Sequence, residues 1–211
     1  MNDEERLWLL RNNNIDAFPR YIKRFDKFGF VFATVMHNED EFRSFLNDNG
    51  KYDKSVAIYS IWQVKNNLYD TVFFDIDAHL RHLSTIDRLE RAYVKLKSVR
   101  EILMNLGIDF SRVYVTGRGF HAFVDFDLTS FDNFSNVYVR LASEYSITNY
   151  IDMSVVKNKF FGRFVGTRNS KARAGIVVRR IDFTKPTFRE AMRSSVDWAK
   201  YNDIIGILKS L

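Results

Sequence analysis

The sequence of 211 residues contains no cysteine and only two prolines, Pro19 and Pro186. The absence of cysteine excludes disulfides, cysteine-bound zinc, iron–sulfur clusters and thiol catalysis. No apolar run approaches the roughly 18 residues of a membrane span, and the N-terminus, MNDEERLWLLRNNN, has no apolar signal core. Because 46% of the residues are apolar, we expect a folded, cytoplasmic protein that does not enter a membrane.

Acidic residues are missing from one long segment, Met153 to Ile181, which we call the basic segment. It holds eight lysines and arginines, so the rest of a chain with net charge +6 sums to −2. Phenylalanines are interleaved with these charges, a pattern typical of nucleic-acid surfaces, where phosphates pair with the cations and bases stack on the rings. A solvated hairpin is the alternative. The basic residues are Lys157, Lys159, Arg163, Arg168, Lys171, Arg173, Arg179 and Arg180.

The stretch TVFFDID ends an apolar run with two aspartates. Because side chains alternate along a strand, Phe73, Asp75 and Asp77 share one face. Carboxylates about 6–7 Å apart along a strand repel each other by about 2–3 kcal/mol at an effective dielectric near 20. Such a pair indicates compensation by water, basic side chains or a hard cation with oxygen ligands. A strand that simply reaches the surface remains the alternative.

The stretch VTGRGFHAF predicts a tight turn between two strands. Gly117 and Gly119 permit positive φ and close backbone approach, and their N–H groups can line an anion site. Arg118 can bind two phosphate oxygens, and His121 is the first polar residue on the outgoing strand. The cluster, which begins at Thr116, predicts a triphosphate site, whereas His121 alone would indicate a core histidine. No Walker-type phosphate loop occurs in the sequence.

A third acidic position, Asp152, directly precedes the basic segment. A single aspartate after a short apolar approach can cap a turn, face water or serve as a third oxygen ligand. The following turn, GTRNSK, is rich in cationic and hydrogen-bonding groups, and it includes Asn169 and Lys171.

Hydrophobic periodicity predicts an α+β fold with mostly antiparallel strands and flanking helices. Around the acidic strand the order is β-α-β-β-α-β, preceded by a smaller α/β unit, and we expect the acidic strand to be central. The later of the two helices in this unit has Phe134, Val137 and Leu141 on its predicted apolar face. Predicted strands cover residues 30–36, 55–62, 71–77, 112–116 and 120–126, and two more lie at about 160–165 and about 176–182. Predicted helices cover residues 38–49, 85–106 and 130–148, and a helical tail begins at Pro186.

These three motifs, in this order, resemble the archaeo-eukaryotic primase superfamily: an apolar-DID, then T-G-R-G-x-H about forty residues later, then an apolar-Asp followed by R-F-V-G-T-R-N-S-K. The resemblance extends over residues 55–182. It implies one primase domain over 1–211, with an N-terminal α/β module (1–69), an RRM-like catalytic module (70–182) and a helical C-terminal tail (183–211). The family usually has proline where Val165 stands, and a cysteine zinc knuckle is impossible here.

The resemblance also implies an activity and roles for individual residues. The activity is DNA-templated synthesis of short primers on single-stranded DNA, from NTPs or dNTPs, with two Mg²⁺ or Mn²⁺ ions. Asp75, Asp77 and Asp152 would be the catalytic metal ligands. Its partners would be the single-stranded DNA template and, in trans, a large primase subunit or a helicase. The protein would act at the nucleoid. The nucleotide would contact Thr116, Gly117, Arg118, Gly119, His121, Arg163, Asn169 and Lys171, and the basic segment would guide the template through Lys157, Lys159, Arg168 and Arg173.

Other interpretations remain open at this point. A repair-type polymerase of the same superfamily would share the site. A metal-dependent glycosyltransferase also uses an apolar-DxD motif, and a non-catalytic RRM-type binder would use Phe73 and Phe120 for base stacking. A second D-x-D, Asp125 and Asp127, indicates a strand exit, with Asp125 as a candidate to orient His121. His79 and His82 are interpreted as surface histidines.

Overall fold

The computed structural model describes residues 18–25, 31–47, 53–78, 83–157, 160–163, 169 and 178–193. Within these ranges no helix is long and apolar enough to cross a membrane. The strands are β1 (Arg20–Phe25), β2 (Val31–Met36), β3 (Asp53–Ala57), β4 (Leu68–Asp77), β5 (Arg112–Val115), β6 (Gly119–Ser130), β7 (Phe161–Arg163) and β8 (Arg179–Arg180). The helices are α1 (Glu39–Asn47), α2 (Ile61–Lys65), α3 (Thr85–Met104), α4 (Phe134–Glu144), α5 (Ser154–Lys157) and α6 (Phe188–Arg193), with a 3₁₀ turn at Ile147–Asn149.

The described strands form two antiparallel sheets, so the predicted α+β fold class is confirmed. The first sheet has the order β2-β1-β3-β7 and the second β4-β6-β5-β8. The predicted strand near 160–165 corresponds to β7 and pairs with β3, in the first sheet. The expectation that the acidic strand is central is wrong, because β4 pairs only with β6 among the described strands. Flanking helices bury its apolar residues, as Tyr138 of α4 does for Phe74, and a sequence cannot distinguish such an edge strand from a central one.

The strand predicted at 55–62 is shorter than expected, since β3 ends at Ala57 and α2 begins at Ile61. Ser60 and Gln63 form a capping box: each side chain accepts a hydrogen bond from the other residue's backbone N–H. This local pairing supplies partners for N–H groups at the start of α2. A capping box therefore ends the extended segment despite its apolar run.

The long helix α3 matches its predicted position and buries Leu89, Tyr93, Leu96 and Val99 among others. Its N-terminus is capped by Ser84, whose hydroxyl oxygen accepts from the Asp87 N–H at 3.2 Å. Together with β4, β5, β6 and α4 it encloses the main hydrophobic core. A smaller core, which contains Ile22, Met36, Phe42 and Val56, lies in the first sheet and α1.

We expect Leu96→Ala to lower the free energy of unfolding by about 2–5 kcal/mol, because it leaves a cavity beneath α3. Leu96 is fully buried, whereas Val94 on the same helix is 66% exposed. Val94→Ala is the matched control and should change stability by less than about 0.5 kcal/mol. Urea denaturation followed by circular dichroism measures both variants, and equal midpoints would contradict this packing.

Candidate active site

Strand register brings the first two motifs of the sequence together. In the β4–β6 pair, Asp75 lies opposite His121 and Asp77 lies opposite Gly119. Because directly opposed side chains in an antiparallel pair share a face, the acidic motif and the glycine-bracketed turn meet at one end of the sheet. The ring of Phe73 packs against His121 at a centroid distance of 5.0 Å and closes this face below the acids.

The turn between β5 and β6 is built by Thr116 and its glycines. The Thr116 N–H donates to the Gly119 carbonyl at 2.9 Å, and the Gly119 N–H donates to Thr116 Oγ1 at 3.3 Å. Gly117 has φ of +86°, a conformation that side chains other than glycine rarely adopt. From outside the turn, the buried Asn169 donates through Nδ2 to the Thr116 carbonyl at 2.9 Å. The predicted Gly-Arg-Gly turn is thus present, and Asn169 braces it.

Asp152 lies beside the acidic strand although it is 77 residues from Asp75 in sequence. Its backbone N–H donates to the Asp75 carbonyl at 2.7 Å. Its carboxylate Oδ1 accepts from the Ser154 N–H at 2.8 Å, at the start of α5. The edge position of β4 explains this arrangement. On its outer side an edge strand has no neighbouring strand to take its backbone N–H and C=O groups, so these groups can hydrogen-bond to another segment.

Asp75 is the electrostatic centre of the three acids. Burial, followed by the negative charges of Asp77 and Asp152, raises the pKa of Asp75 to about 7, despite the nearby Arg163 and Arg118. Its side chain is 27% exposed, so a dissolved cation can reach it. The negative charges of Asp77 and Asp152 act in the same direction as burial, and a cation bound among the carboxylates would offset them.

Two basic groups approach the acids from the turn and from β6. Arg118 Nη2 lies 3.6 Å from Asp77 Oδ2, and its side chain is 31% exposed. His121 Nε2 lies 3.7 Å from Asp75 Oδ1. Arg118 therefore offers a partly exposed positive charge beside the acids, whereas the His121 side chain is buried.

His121 is held in a defined orientation by β7. Its Nδ1 accepts a hydrogen bond from the Arg163 backbone N–H at 3.3 Å, so the ring proton is at Nε2, toward the acids. Burial, and secondarily the charge of Arg163, lowers the pKa of His121 to about 3. The ring is therefore neutral near pH 7 and can donate a hydrogen bond from Nε2.

The three carboxylates suit hard divalent cations by donor type, because Mg²⁺ and Mn²⁺ prefer oxygen ligands. Their backbones are neighbours, two through β4 and the third through the Asp152–Asp75 hydrogen bond. Their side chains do not converge: in the described part of the chain no three histidine, aspartate or glutamate side chains are arranged to hold a metal ion. Asp77 is turned to Arg118 and Asp152 to Ser154, so metal binding requires these side chains to rotate.

The remaining predicted site residues divide into two groups. Arg163 on β7 acts electrostatically on Asp75 and His121, and Lys157 ends α5 with an exposed side chain. The others lie outside the described residues: Lys159, Arg168, Lys171 and Arg173, together with His79 and His82.

Several side chains have other surroundings than the sequence predicts. Asp125 forms an ion pair with Arg112 at 2.9 Å, so the expectation that it orients His121 is wrong. Phe73 and Phe120 are fully buried in the main core and therefore cannot stack on bases. An aromatic residue on a strand can face either side of a sheet, and only packing against α3, α4 or the first sheet decides which side is covered.

One buried residue near the acids has no place in the sequence motifs. The spacing in α4 predicts Val137 on its apolar face, but Val137 is 43% exposed and Tyr138 is 1% exposed. Phe134, Tyr138 and Ala142 recur at four-residue steps and form the buried face. This four-residue spacing is the signal that would have identified Tyr138.

The fold is mixed α+β, with two antiparallel sheets and flanking helices in the described part of the chain, and it is similar to the fold of a primase of known structure. Primase RepB′ has this fold with a TM-score of 0.50 at 17% sequence identity, over 91% of this chain and 63% of that one. The catalytic domain of primase RepB′ in complex with initiator DNA aligns with a TM-score of 0.49 at 18% identity, over 82% of this chain and 81% of that one. No protein-family model and no curated protein sequence matches the chain.

Proposed function

We propose that this protein is a DNA-templated nucleotidyltransferase of the archaeo-eukaryotic primase type that makes short primers on single-stranded DNA. The observation that supports it most is the meeting of Asp75, Asp77 and Asp152 with the Thr116–Gly119 turn and His121. The primase-type fold and the three sequence motifs agree with this assignment, and the DNA-bound RepB′ catalytic domain makes DNA a reasonable partner.

In this proposal the acids form the catalytic centre. After rotation of their side chains, Asp75, Asp77 and Asp152 would hold two Mg²⁺ or Mn²⁺ ions, which would supply Lewis-acid activation of a 3′-hydroxyl and neutralise the charge of the leaving pyrophosphate. Each carboxylate must be ionised to act as a ligand. Because the pKa of Asp75 is raised to about 7, protons and metal cations compete for its carboxylate near pH 7.

The turn binds the triphosphate tail of the incoming nucleotide. Arg118 leaves Asp77 and pairs with phosphate oxygens, since its partly exposed side chain can reach out of the site. His121 donates from Nε2 as a neutral hydrogen-bond donor, fixed by the Arg163 N–H. Such pre-oriented donors stabilise charge that develops on the phosphates without reorganising during reaction.

The template runs over the basic segment. Lys157 is exposed close in sequence to Asp152, and the other cations of the segment supply charge for the phosphate backbone. The stacking aromatics of the template track are not Phe73 or Phe120, which are buried. Binding of single-stranded DNA should therefore be strongly salt-dependent and weakly sequence-dependent.

A primer-free synthesis assay tests this function. Purified protein is incubated with unprimed single-stranded DNA, Mg²⁺ or Mn²⁺, and NTPs or dNTPs in separate reactions. Labelled products that depend on template and metal support a primase. Extension of an annealed primer without primer-free synthesis supports a repair-type polymerase, and DNA binding without nucleotide incorporation supports a non-catalytic binder. Template-free turnover of a nucleotide sugar would indicate a glycosyltransferase.

We expect Arg118→Ala to raise the KM for the nucleotide about 10- to 100-fold, because a hydrogen bond to a charged group contributes about 1.5–3 kcal/mol. Arg140→Ala is the control: Arg140 is 75% exposed on α4 and pairs with Glu144. Steady-state kinetics with varied nucleotide concentration measures both variants. An unchanged KM for Arg118→Ala would remove this residue from the nucleotide site.

A further inference from the structure

Tyr138 lies behind the acidic strand. Its ring packs between Phe74 and Phe160, at centroid distances of 5.9 and 5.3 Å. Phe74 directly precedes Asp75 on β4, and Phe160 directly precedes β7, which bears Arg163. The tyrosine therefore fills the space next to the segments on which the proposed site is built, with 1% of its surface exposed.

The hydroxyl of Tyr138 is buried and has no hydrogen-bond partner within the described part of the chain. Buried hydroxyls are usually hydrogen-bonded, because leaving one unsatisfied costs stability, so an exception calls for a functional reason. Apart from burial, Asp75 and then Asp152 act most strongly on this group and raise the pKa of Tyr138 far above its usual range. The hydroxyl consequently keeps its proton and is a donor close to acids.

Asp75 is the acceptor that this donor suits best. The Asp152 carboxylate already accepts from the Ser154 N–H. Of the two acids on β4, Asp75 rather than Asp77 acts on the Tyr138 hydroxyl, and Asp75 directly follows Phe74, on which the Tyr138 ring packs. The Asp75 carboxylate approaches His121 only to 3.7 Å, which is longer than a hydrogen bond. Carboxylates that ligate a metal are normally held by an outer hydrogen-bond donor, and loss of that donor typically costs 10- to 100-fold in metal affinity or activity.

We propose that Tyr138 is a positioning residue for Asp75, and that its hydroxyl donates a hydrogen bond to the Asp75 carboxylate when that carboxylate binds a divalent cation. This inference rests on the metal site in the proposed function. The hydrogen bond holds the carboxylate in the orientation in which it ligates the metal, and it satisfies the buried hydroxyl. Tyr138 contacts neither nucleotide nor template.

Tyr138→Phe removes only the hydroxyl group, and metal affinity tests the proposal independently of enzymatic activity. Electron paramagnetic resonance of free Mn²⁺ gives the affinity of the protein for the ion, and we expect it to weaken about 10-fold. The urea midpoint of EDTA-treated Tyr138→Phe should equal or exceed that of the wild type, because no hydrogen bond is lost in the absence of metal. In primer synthesis, the half-saturating Mn²⁺ concentration should rise while the rate at saturating Mn²⁺ is largely retained.

Tyr114→Phe is the matched control. Tyr114 is also buried, and its hydroxyl also lacks a partner in the described residues, but its charged neighbours are Arg112, Arg180 and Asp125 rather than the proposed metal ligands. Its Mn²⁺ affinity should equal that of the wild type. Equal affinities for Tyr138→Phe and Tyr114→Phe would overturn the proposal, as would a lower urea midpoint of metal-free Tyr138→Phe. A wild type that binds Mn²⁺ but makes no primers would refute the proposed function alone.

Discussion

Asp75→Asn is expected to reduce nucleotide incorporation at least about 10³-fold while leaving single-stranded DNA binding intact. The substitution removes a charged metal ligand, and metal stabilisation of the transition state contributes several kcal/mol. DNA binding should survive, because in the proposal the basic segment and not the acids contacts the phosphates. Primer synthesis and fluorescence anisotropy of labelled DNA measure the two properties separately.

The same variant should fold at least as stably as the wild type at pH 8. A carboxyl whose folded pKa is raised above its unfolded value makes the folded state less stable once pH rises through the folded pKa, here about 7. Asparagine has no charge to bury and escapes this loss. Asp127→Asn is the control, since Asp127 is exposed on β6, and it should change neither activity nor stability. Full activity of Asp75→Asn would refute the two-metal proposal.

Gly119→Ala is expected to lower the free energy of unfolding by about 3 kcal/mol or more, or to prevent folding. A Cβ at this position would lie 2.1 Å from the Ile76 carbonyl oxygen and 2.9 Å from the Asp77 Cα. Because both obstacles are backbone atoms, the β4–β6 pairing itself must shift. The displaced segment bears Asp77, so any folded fraction should also bind nucleotides poorly.

Gly107→Ala is the control for Gly119→Ala. Gly107 has φ of +76° but no atom within 4 Å of an added Cβ, so alanine there should cost only about 1 kcal/mol through backbone strain. Urea denaturation compares both variants with the wild type. If Gly119→Ala unfolds at the same urea concentration as Gly107→Ala, the close approach of β4 and β6 at the turn is not as described.

Elements with a local cause were predictable from the sequence. The helix α3 follows from its apolar spacing and from its Ser84 cap. The turn follows from Gly117, whose positive φ it needs, and from Gly119, where a side chain would collide with β4. The shared face of Asp75 and Asp77 follows from strand alternation alone. The α+β class follows from the order of these elements. Each of these features depends on residues within a few positions of one another.

Features that depend on distant contacts were predicted less well. The sequence indicated a central acidic strand, yet β4 is an edge strand in the described sheet. It assigned Asp125 to His121, although Arg112 from the neighbouring strand takes that carboxylate. It placed Val137 rather than Tyr138 on the buried face of α4. In each case the position or partner of the residue was decided by which distant segment of the chain packs next to it.

The sequence by itself determined which chemical groups this protein has and their local geometry: paired carboxylates on one strand face, a glycine-bracketed arginine, and a long cationic segment. Only the tertiary structure decided that Asp152 joins Asp75, that Arg163 orients His121, and that a buried tyrosine lies behind them. The reason is physical. Backbone preferences act over a few residues, whereas the juxtaposition of residues some forty to eighty positions apart is fixed by the burial of apolar surface between elements.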